Sequence, residues 1–168
     1  GFLYVNADVS INPLIQGGSQ ERNMRAGTEN VYGIVGLSKA MDVAYRGLDE
    51  HRAYIEGLKI YMIEELQKAI SGVEFNGLSG EMDKSLYTVL SVMFPPTDIG
   101  EMLFYNLDIM GIACSGGSAC SSGSNVGSHV LSGIGVDMMR PSLRFSFSKY
   151  NTKEEIDYVI NQLKSLFS

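Results

Sequence analysis

Cys120 lies in the stretch SGGSACSSGSNVGSHVL, residues 115–131, where serines and glycines leave few side chains for it to pack against. Buried structural cysteines usually lie among apolar residues. A thiol in a polar loop can act as a nucleophile when N–H groups or a nearby cation lower its pKa and form the thiolate. The glycines also predict that Ser115 to Gly127 is the most mobile part of the chain. The alternative is a loop cysteine with no chemical role.

The second cysteine, Cys114, ends an apolar segment and is predicted to be a buried core thiol. Structural zinc usually has four ligands at recognisable spacings. Cys114, Cys120 and His129 do not form such a set, and His51 lies far away on a predicted helix. No metal site is therefore predicted.

A second candidate site lies in GGSQERNMRAGTEN, residues 17–30, directly before a predicted helix. Its glycines, two arginines and Thr28 could hold an anion, because a helix N-terminus offers free N–H groups and a partial positive charge. Thr28 could donate its hydroxyl to a phosphate, or it could simply cap the helix. The stretch is not a P-loop, because the Gly-Lys-Ser/Thr of that motif is missing.

Arg144 is the only cation inside the predicted strand PSLRFSFS, residues 141–148. An arginine guanidinium binds carboxylates through two parallel hydrogen bonds. A surface ion pair is the alternative role for an arginine on a strand.

The composition limits the classes of protein to which these residues can belong. The 168 residues suffice for a sizeable core, with 45% hydrophobic and 19% charged residues. The net charge of −6 argues against a dedicated nucleic-acid binder. No apolar run is long enough to span a bilayer, and no signal peptide is recognisable. Two cysteines with five residues between them are not a disulfide framework, so we expect a reducing, cytoplasmic setting.

Hydrophobic periodicity predicts the elements that carry these sites. Residues 2–5 are a strand candidate, residues 31–70 are helical with Gly47 as a break or kink, and Gly72 is a helix stop. Asp98 and Glu101 are predicted to cap a helix, as are Thr152 and Glu155. Further segments are predicted as strands within 72–77, 86–94, 111–115 and 141–148, and as helices within 98–110, 128–135 and 151–168. We predict an α/β (α+β) fold with helices over a small, mostly antiparallel sheet.

Three stretches together resemble the cysteine desulfurases, which are pyridoxal-phosphate (PLP) enzymes of the class V aminotransferase-like group. The motifs are Gly-Gly-x-x-Glu-Arg with Arg-Ala-Gly-Thr, then Ser-Ala-Cys, then Arg-Phe-Ser before an Asn-Thr helix start. The long segment after Cys120 is similar to the nitrogen-fixation and iron–sulfur-assembly branch. The similarity runs in order along most of the chain.

The resemblance implies a role for each candidate residue. Cys120 matches the nucleophile that takes sulfur from L-cysteine as a persulfide, leaving L-alanine. Arg144 matches the arginine that binds the substrate carboxylate. Thr28 matches the threonine that reaches the PLP phosphate of the neighbouring subunit, which implies a homodimer. The implied partner is a sulfur-acceptor or iron–sulfur scaffold protein. No membrane is implied, and no nucleic acid except through tRNA thiolation.

No residue of this sequence matches the family's PLP-binding lysine. We expect Lys39 and Lys59 to be solvated residues on helix faces. The strand-like first residues and the missing initiator Met suggest the C-terminal portion of a longer chain, inactive alone. Residues 1–30 would be the tail of the large PLP-binding domain, 31–72 a long connecting helix, and 73–168 the small C-terminal domain. The alternatives are a selenocysteine lyase or another class V PLP enzyme, and a non-catalytic sulfur-carrier or interaction module.

Overall fold

The computed structural model describes residues 1–116 and 128–167. The predictions for Cys120 and for the mobility of residues 117–127 lie outside the described residues. The chain divides into two compact units, residues 1–48 and residues 49–168.

The first unit begins with an irregular segment and ends in one helix. A short 3-10 turn spans Gln20–Asn23, and helix α1 spans Val31–Arg46. The predicted strand over residues 2–5 is wrong: this segment belongs to no strand, and its Phe2, Leu3 and Tyr4 are 70–81% exposed. A β-strand exists only where its N–H and C=O groups meet a neighbouring strand, and the described residues supply none there.

Helix α1 has an unusual surface. Ser38, Lys39, Asp42 and Arg46 share one side of it, while apolar residues and glycines occupy most of the remaining circumference. None of its residues is buried. In complete proteins a helix with apolar residues around most of its surface is usually a buried one.

The second unit opens with helix α2, Leu48–Ala69. The helical stretch predicted over 31–70, with Gly47 as a break or kink, is two helices, because the backbone at Gly47 leaves helical geometry. Glycine costs about 1 kcal/mol relative to alanine inside a helix, so a break there is inexpensive. Gly72 follows α2 with φ +79°, a conformation that favours glycine.

A four-stranded antiparallel sheet forms the second layer. Its strands are β1 (Glu74–Phe75), β2 (Val89–Met93), β3 (Ser115–Gly116) and β4 (Ser142–Ser146), arranged in the order β1-β2-β4-β3. The predicted α/β fold with a small antiparallel sheet is confirmed.

Three more helices complete the unit: α3 (Leu103–Ile109), α4 (His129–Gly133) and α5 (Lys153–Leu166). The predicted capping box of Thr152 and Glu155 begins α5 as expected. Asp98 does not cap the turn before α3, because a 3-10 helix precedes α3 and its cap position falls at Ile99.

The core of the second unit lies where α2, α3 and α5 pack against the sheet. Its most deeply buried side chains are Leu58, Met62, Leu66, Leu90, Val92, Phe94, Leu103, Leu107, Leu143 and Leu163.

Lys59 corrects one sequence expectation. Lys39 is solvated on α1 as predicted, but Lys59 is fully buried on α2. Its Nζ donates to Ser85 Oγ at 2.8 Å and to the Leu86 carbonyl at 3.0 Å. Helical periodicity places Lys59 beside the core residue Leu58, and the segment around Ser85 covers it. Burial lowers the pKa of this ammonium group.

Candidate functional site

The segment before α1 is held together by its own side chains. The Ala26 N–H donates to the Ile15 carbonyl at 3.2 Å, which closes the loop between them. The Gly27 N–H donates to Gln20 Oε1 at 3.1 Å, and the Gly27 carbonyl accepts from Arg25 Nη1 at 2.7 Å. Gly27 has φ +101°, which an L side chain would adopt only with strain. The Arg-Ala-Gly-Thr motif therefore builds one defined turn that ends at Thr28.

Just before this turn, three consecutive residues that are not glycines adopt the left-handed conformation. Glu21, Arg22 and Asn23 have φ of 48°, 56° and 66°. Each such residue costs roughly 1 kcal/mol or more, so surrounding contacts must hold them there. The reversal brings Gln20 and Glu21 back toward residues 25–27, where they make hydrogen bonds. Strain of this kind is concentrated at functional sites.

Thr28 is exposed at the end of the turn, and it does not cap α1. The cap is Asn30, whose Oδ1 accepts from the Gly33 N–H at 3.0 Å. The capping alternative for Thr28 is therefore wrong. Thr28 comes three residues before Val31, the first residue of the 16-residue helix α1, and unbonded N–H groups at a helix start attract anions. A hydroxyl donor at such a place fits a phosphate.

Arg25 is not available to bind that anion. Its Nη2 contacts the carboxylates of Glu21, at 3.5 Å, and of Glu29, while its Nη1 faces the carbonyls of Gly27 and, at 3.5 Å, Ala26. The sequence-based idea that both arginines of this stretch serve an anion is thus wrong for Arg25. The signal was present in the sequence, because Glu21 and Glu29 flank Arg25 at a spacing of four.

Arg144 lies on the exposed side of β4, while its neighbours Leu143 and Phe145 point into the core. Its partners across the sheet are Ser91 on β2 and Ser115 on β3. Arg144 Nη2 donates to Ser115 Oγ at 3.4 Å, and within residues 1–116 and 128–167 Arg144 forms no salt bridge. The alternative role, a surface ion pair, is therefore not seen among these residues. A guanidinium between two serines keeps its charge free for an anionic ligand.

Cys114 immediately precedes β3 and is half-buried. Burial, with a smaller contribution from the Asp108 carboxylate, raises the pKa of this thiol to about 11. Cys114 is therefore protonated at neutral pH and is a poor nucleophile.

The segment that contains Cys120 is anchored at both ends in the second unit. On one side Ser115 and Gly116 pair with Arg144 and Leu143 of β4. On the other side Ser128 is buried, and its Oγ accepts from the Leu131 N–H at 3.4 Å as the cap of α4. Arg144 and the beginning of the Cys120 segment thus meet in one place, whereas Thr28 belongs to the other unit.

The described part of the chain offers neither a metal site nor a membrane-spanning helix. It contains no group of three or more His, Cys, Asp or Glu side chains that could hold a metal ion. It also contains no helix long and apolar enough to cross a membrane.

Comparisons with known proteins agree about the family. The model of a family described as aminotransferase class-V matches residues 4–159. A cysteine desulfurase IscS of Dictyoglomus turgidum is 40% identical over 168 residues, covering 99% of this chain and 42% of that protein. A cysteine desulfurase IscS of Methanosarcina thermophila is 41% identical over 162 residues, covering 95% of this chain and 39% of that protein.

The fold leads to the same family. A solved structure titled as a NifS-like protein superposes with a TM-score of 0.77 at 35% identity, covering 96% of this chain and 40% of that one. The chain thus spans about two fifths of the length of the relatives it matches.

Proposed function

Because this chain belongs to the class V aminotransferase family, we propose that it is the C-terminal part of a PLP-dependent cysteine desulfurase. The observation that carries the proposal is Arg144: an exposed guanidinium without a carboxylate partner in the described residues, bonded to Ser115 just before the segment of Cys120. A carboxylate ligand held there would lie beside the start of that segment. Arg144 lies on β4, and the segment of Cys120 follows the neighbouring strand β3 in the sequence.

We assign to Arg144 the role of binding the substrate carboxylate. Its fork of N–H donors matches the two carboxylate oxygens, and each charge-assisted bond is stronger than a neutral one. Ser115 keeps the guanidinium oriented from one side. The cross-strand partners of Arg144 are both serines, so among these partners no carboxylate competes with that of the substrate.

We assign to Thr28 the role of binding the phosphate of PLP that is held in the neighbouring subunit of a homodimer. Its hydroxyl is exposed and is not used as a helix cap, which fits this role. When bound, PLP would supply an electron sink that stabilises negative charge on the substrate carbons next to the amino group. We assign the lysine that attaches PLP to a part of the full-length protein outside these 168 residues, and activity to the full-length protein. The largely apolar, unburied α1 is consistent with further protein packing around it.

Cys120 is assigned the sulfur transfer. Its thiolate attacks the sulfur of the bound cysteine, a new S–S bond forms, and the carbon–sulfur bond of the substrate breaks. The electron pair of the broken bond stays with the substrate carbon, which takes up a proton and leaves as alanine. The enzyme keeps a persulfide on Cys120. A sulfur-acceptor or iron–sulfur scaffold protein then takes its outer sulfur atom in the cytoplasm. The raised pKa of Cys114 supports Cys120 as the reacting thiol.

The test is a product analysis of the full-length protein supplied with PLP, L-cysteine and a dithiol acceptor. Alanine and acceptor-bound sulfur should form in equal amounts, and both should stop without PLP. L-selenocysteine, used in place of cysteine, distinguishes a selenocysteine lyase, which would leave L-cysteine essentially untouched. Absence of alanine from both substrates would contradict the proposal and favour a non-catalytic sulfur carrier.

A further inference from the structure

We propose that Arg25 is a positioning residue that presents the Thr28 hydroxyl to a phosphate group. The inference rests on the proposed function, because it takes Thr28 as a ligand of the PLP phosphate. It adds a residue that does not touch the phosphate itself. Four contacts of the Arg25 guanidinium, all internal to the first unit, carry the argument.

The first part of the argument concerns the backbone. The Gly27 carbonyl that accepts from Arg25 belongs to the peptide bond leading into Thr28. The N–H of Gly27 is held from the other side by Gln20. With both groups of Gly27 held, the peptide plane before Thr28 has one orientation, and this orients the backbone that carries the Thr28 side chain. Without Arg25, a glycine at φ +101° would be free to rotate.

The second part concerns charge. Glu29 follows Thr28 directly, and Glu21 lies on the preceding left-handed turn; both carboxylates contact Arg25. Unpaired, these two negative charges would repel a phosphate placed at Thr28. The ammonium of a lysine could pair with one carboxylate, but it lacks the planar fork that reaches two carboxylates and a carbonyl together. An arginine is therefore needed at this position.

The experiment measures cofactor affinity in the full-length apo-protein, with PLP and with pyridoxal, which lacks the phosphate. Arg25→Gln should weaken PLP binding at least about tenfold, the cost of losing a charged hydrogen-bonding group, and leave pyridoxal binding within about twofold. Arg25→Lys should fall between this variant and the wild type. Arg46→Gln is the matched control: it removes one exposed, ion-paired arginine at the far end of α1 and should change neither affinity.

A second readout needs no cofactor. Amide hydrogen exchange over residues 26–29 of the apo-protein should be faster in Arg25→Gln than in Arg46→Gln, because the turn loses its Arg25 contacts and the hydrogen bonds of the Ala26 and Gly27 N–H groups open more often. If Arg25→Gln fails to fold, Arg25→Gln/Glu29→Gln removes the unpaired carboxylate and should still lose PLP affinity selectively.

The outcomes separate this inference from the proposed function. Unchanged PLP affinity in Arg25→Gln, or an equal loss for PLP and pyridoxal, overturns the positioning role. Thr28→Val decides whether the phosphate site itself is correct. If Thr28→Val weakens PLP binding while Arg25→Gln does not, only the positioning role is wrong. If Thr28→Val leaves PLP binding unchanged, the phosphate role of Thr28 is wrong and the positioning role is overturned with it.

Discussion

Ser115 and Arg144 face each other across β3 and β4, and Arg144 Nη2 donates to Ser115 Oγ at 3.4 Å. Ser115 is the first residue of the strand that leads into the segment of Cys120. Arg144 has serines on both neighbouring strands and no salt bridge among the residues described. One cross-strand pair thus joins the proposed carboxylate-binding group to the start of the proposed nucleophilic segment.

Arg144→Ala in the full-length protein should raise the KM for cysteine roughly ten- to hundred-fold, because a hydrogen-bonded charge contributes about 1.5–3 kcal/mol. Arg144→Lys should recover only part of the loss, since an ammonium cannot form the planar fork. Steady-state kinetics measure both. Arg52→Gln, which removes an exposed arginine paired with Glu56, serves as the control. An unchanged KM in both Arg144 variants would remove Arg144 from the substrate site.

Ser115→Ala should have a smaller effect of the same kind. The bond to Arg144 is long, so its loss should raise the KM for cysteine only about two- to fivefold, within the range of an ordinary hydrogen bond. Ser115→Thr keeps the hydroxyl and should restore the wild-type value. A loss as large as that of Arg144→Ala would mean that Ser115 contacts the substrate itself.

The Cys114 thiol should react slowly at neutral pH. Because burial raises its pKa to about 11, its alkylation rate should rise about tenfold per pH unit and level off only near pH 11. A Cys120→Ala background isolates this thiol, and a short cysteine peptide, levelling off near pH 8.5, is the reference. A plateau at the pH of the peptide would show that Cys114 is not desolvated.

Lys59 should make the stability of this chain depend on pH. Burial lowers the pKa of Lys59 in the folded state, so the unfolded chain binds more protons between that pKa and about 10.4. The contribution of Lys59 to the free energy of unfolding should therefore increase as pH rises through this window and be constant below it. Chemical denaturation at several pH values measures the slope.

Lys59→Met should remove that increase with pH, while Lys39→Met, on exposed α1, should retain it. Equal slopes in wild type and Lys59→Met would mean that the Lys59 ammonium is as well solvated in the folded chain as in the unfolded one.

Local patterns predicted the second unit well, because its elements carry their own signals. The alternation around Leu143 and Phe145 predicted β4, and the Thr152 capping box predicted the start of α5. Gly47 indicated the break between α1 and α2. In each case the local secondary structure is determined by residues nearby in the sequence, within one or two helical turns or strand positions.

Errors arose where distant residues decide. Residues 2–5 have the composition of a strand but no pairing partner in the described chain. Lys59 is buried by residues 85 and 86, which periodicity within α2 cannot reveal. Thr28 and Asn30 are both good capping residues, and the turn held by Gln20 and Arg25 places the helix start at Asn30. For the proposed site, sequence motifs named Thr28 and Arg144, but the contacts of Ser115 with Arg144 and of Arg25 with the Gly27 carbonyl are visible only in the folded chain.

Which thiol carries the sulfur is the central question, and mass spectrometry of the full-length protein after brief exposure to L-cysteine and PLP answers it. We predict one added sulfur atom on the peptide that contains Cys120, retained in Cys114→Ala and absent from Cys120→Ala. Binding of cysteine to the PLP-loaded protein, followed by absorbance, should persist in both variants. A persulfide on Cys114, or one that survives in Cys120→Ala, would contradict the account.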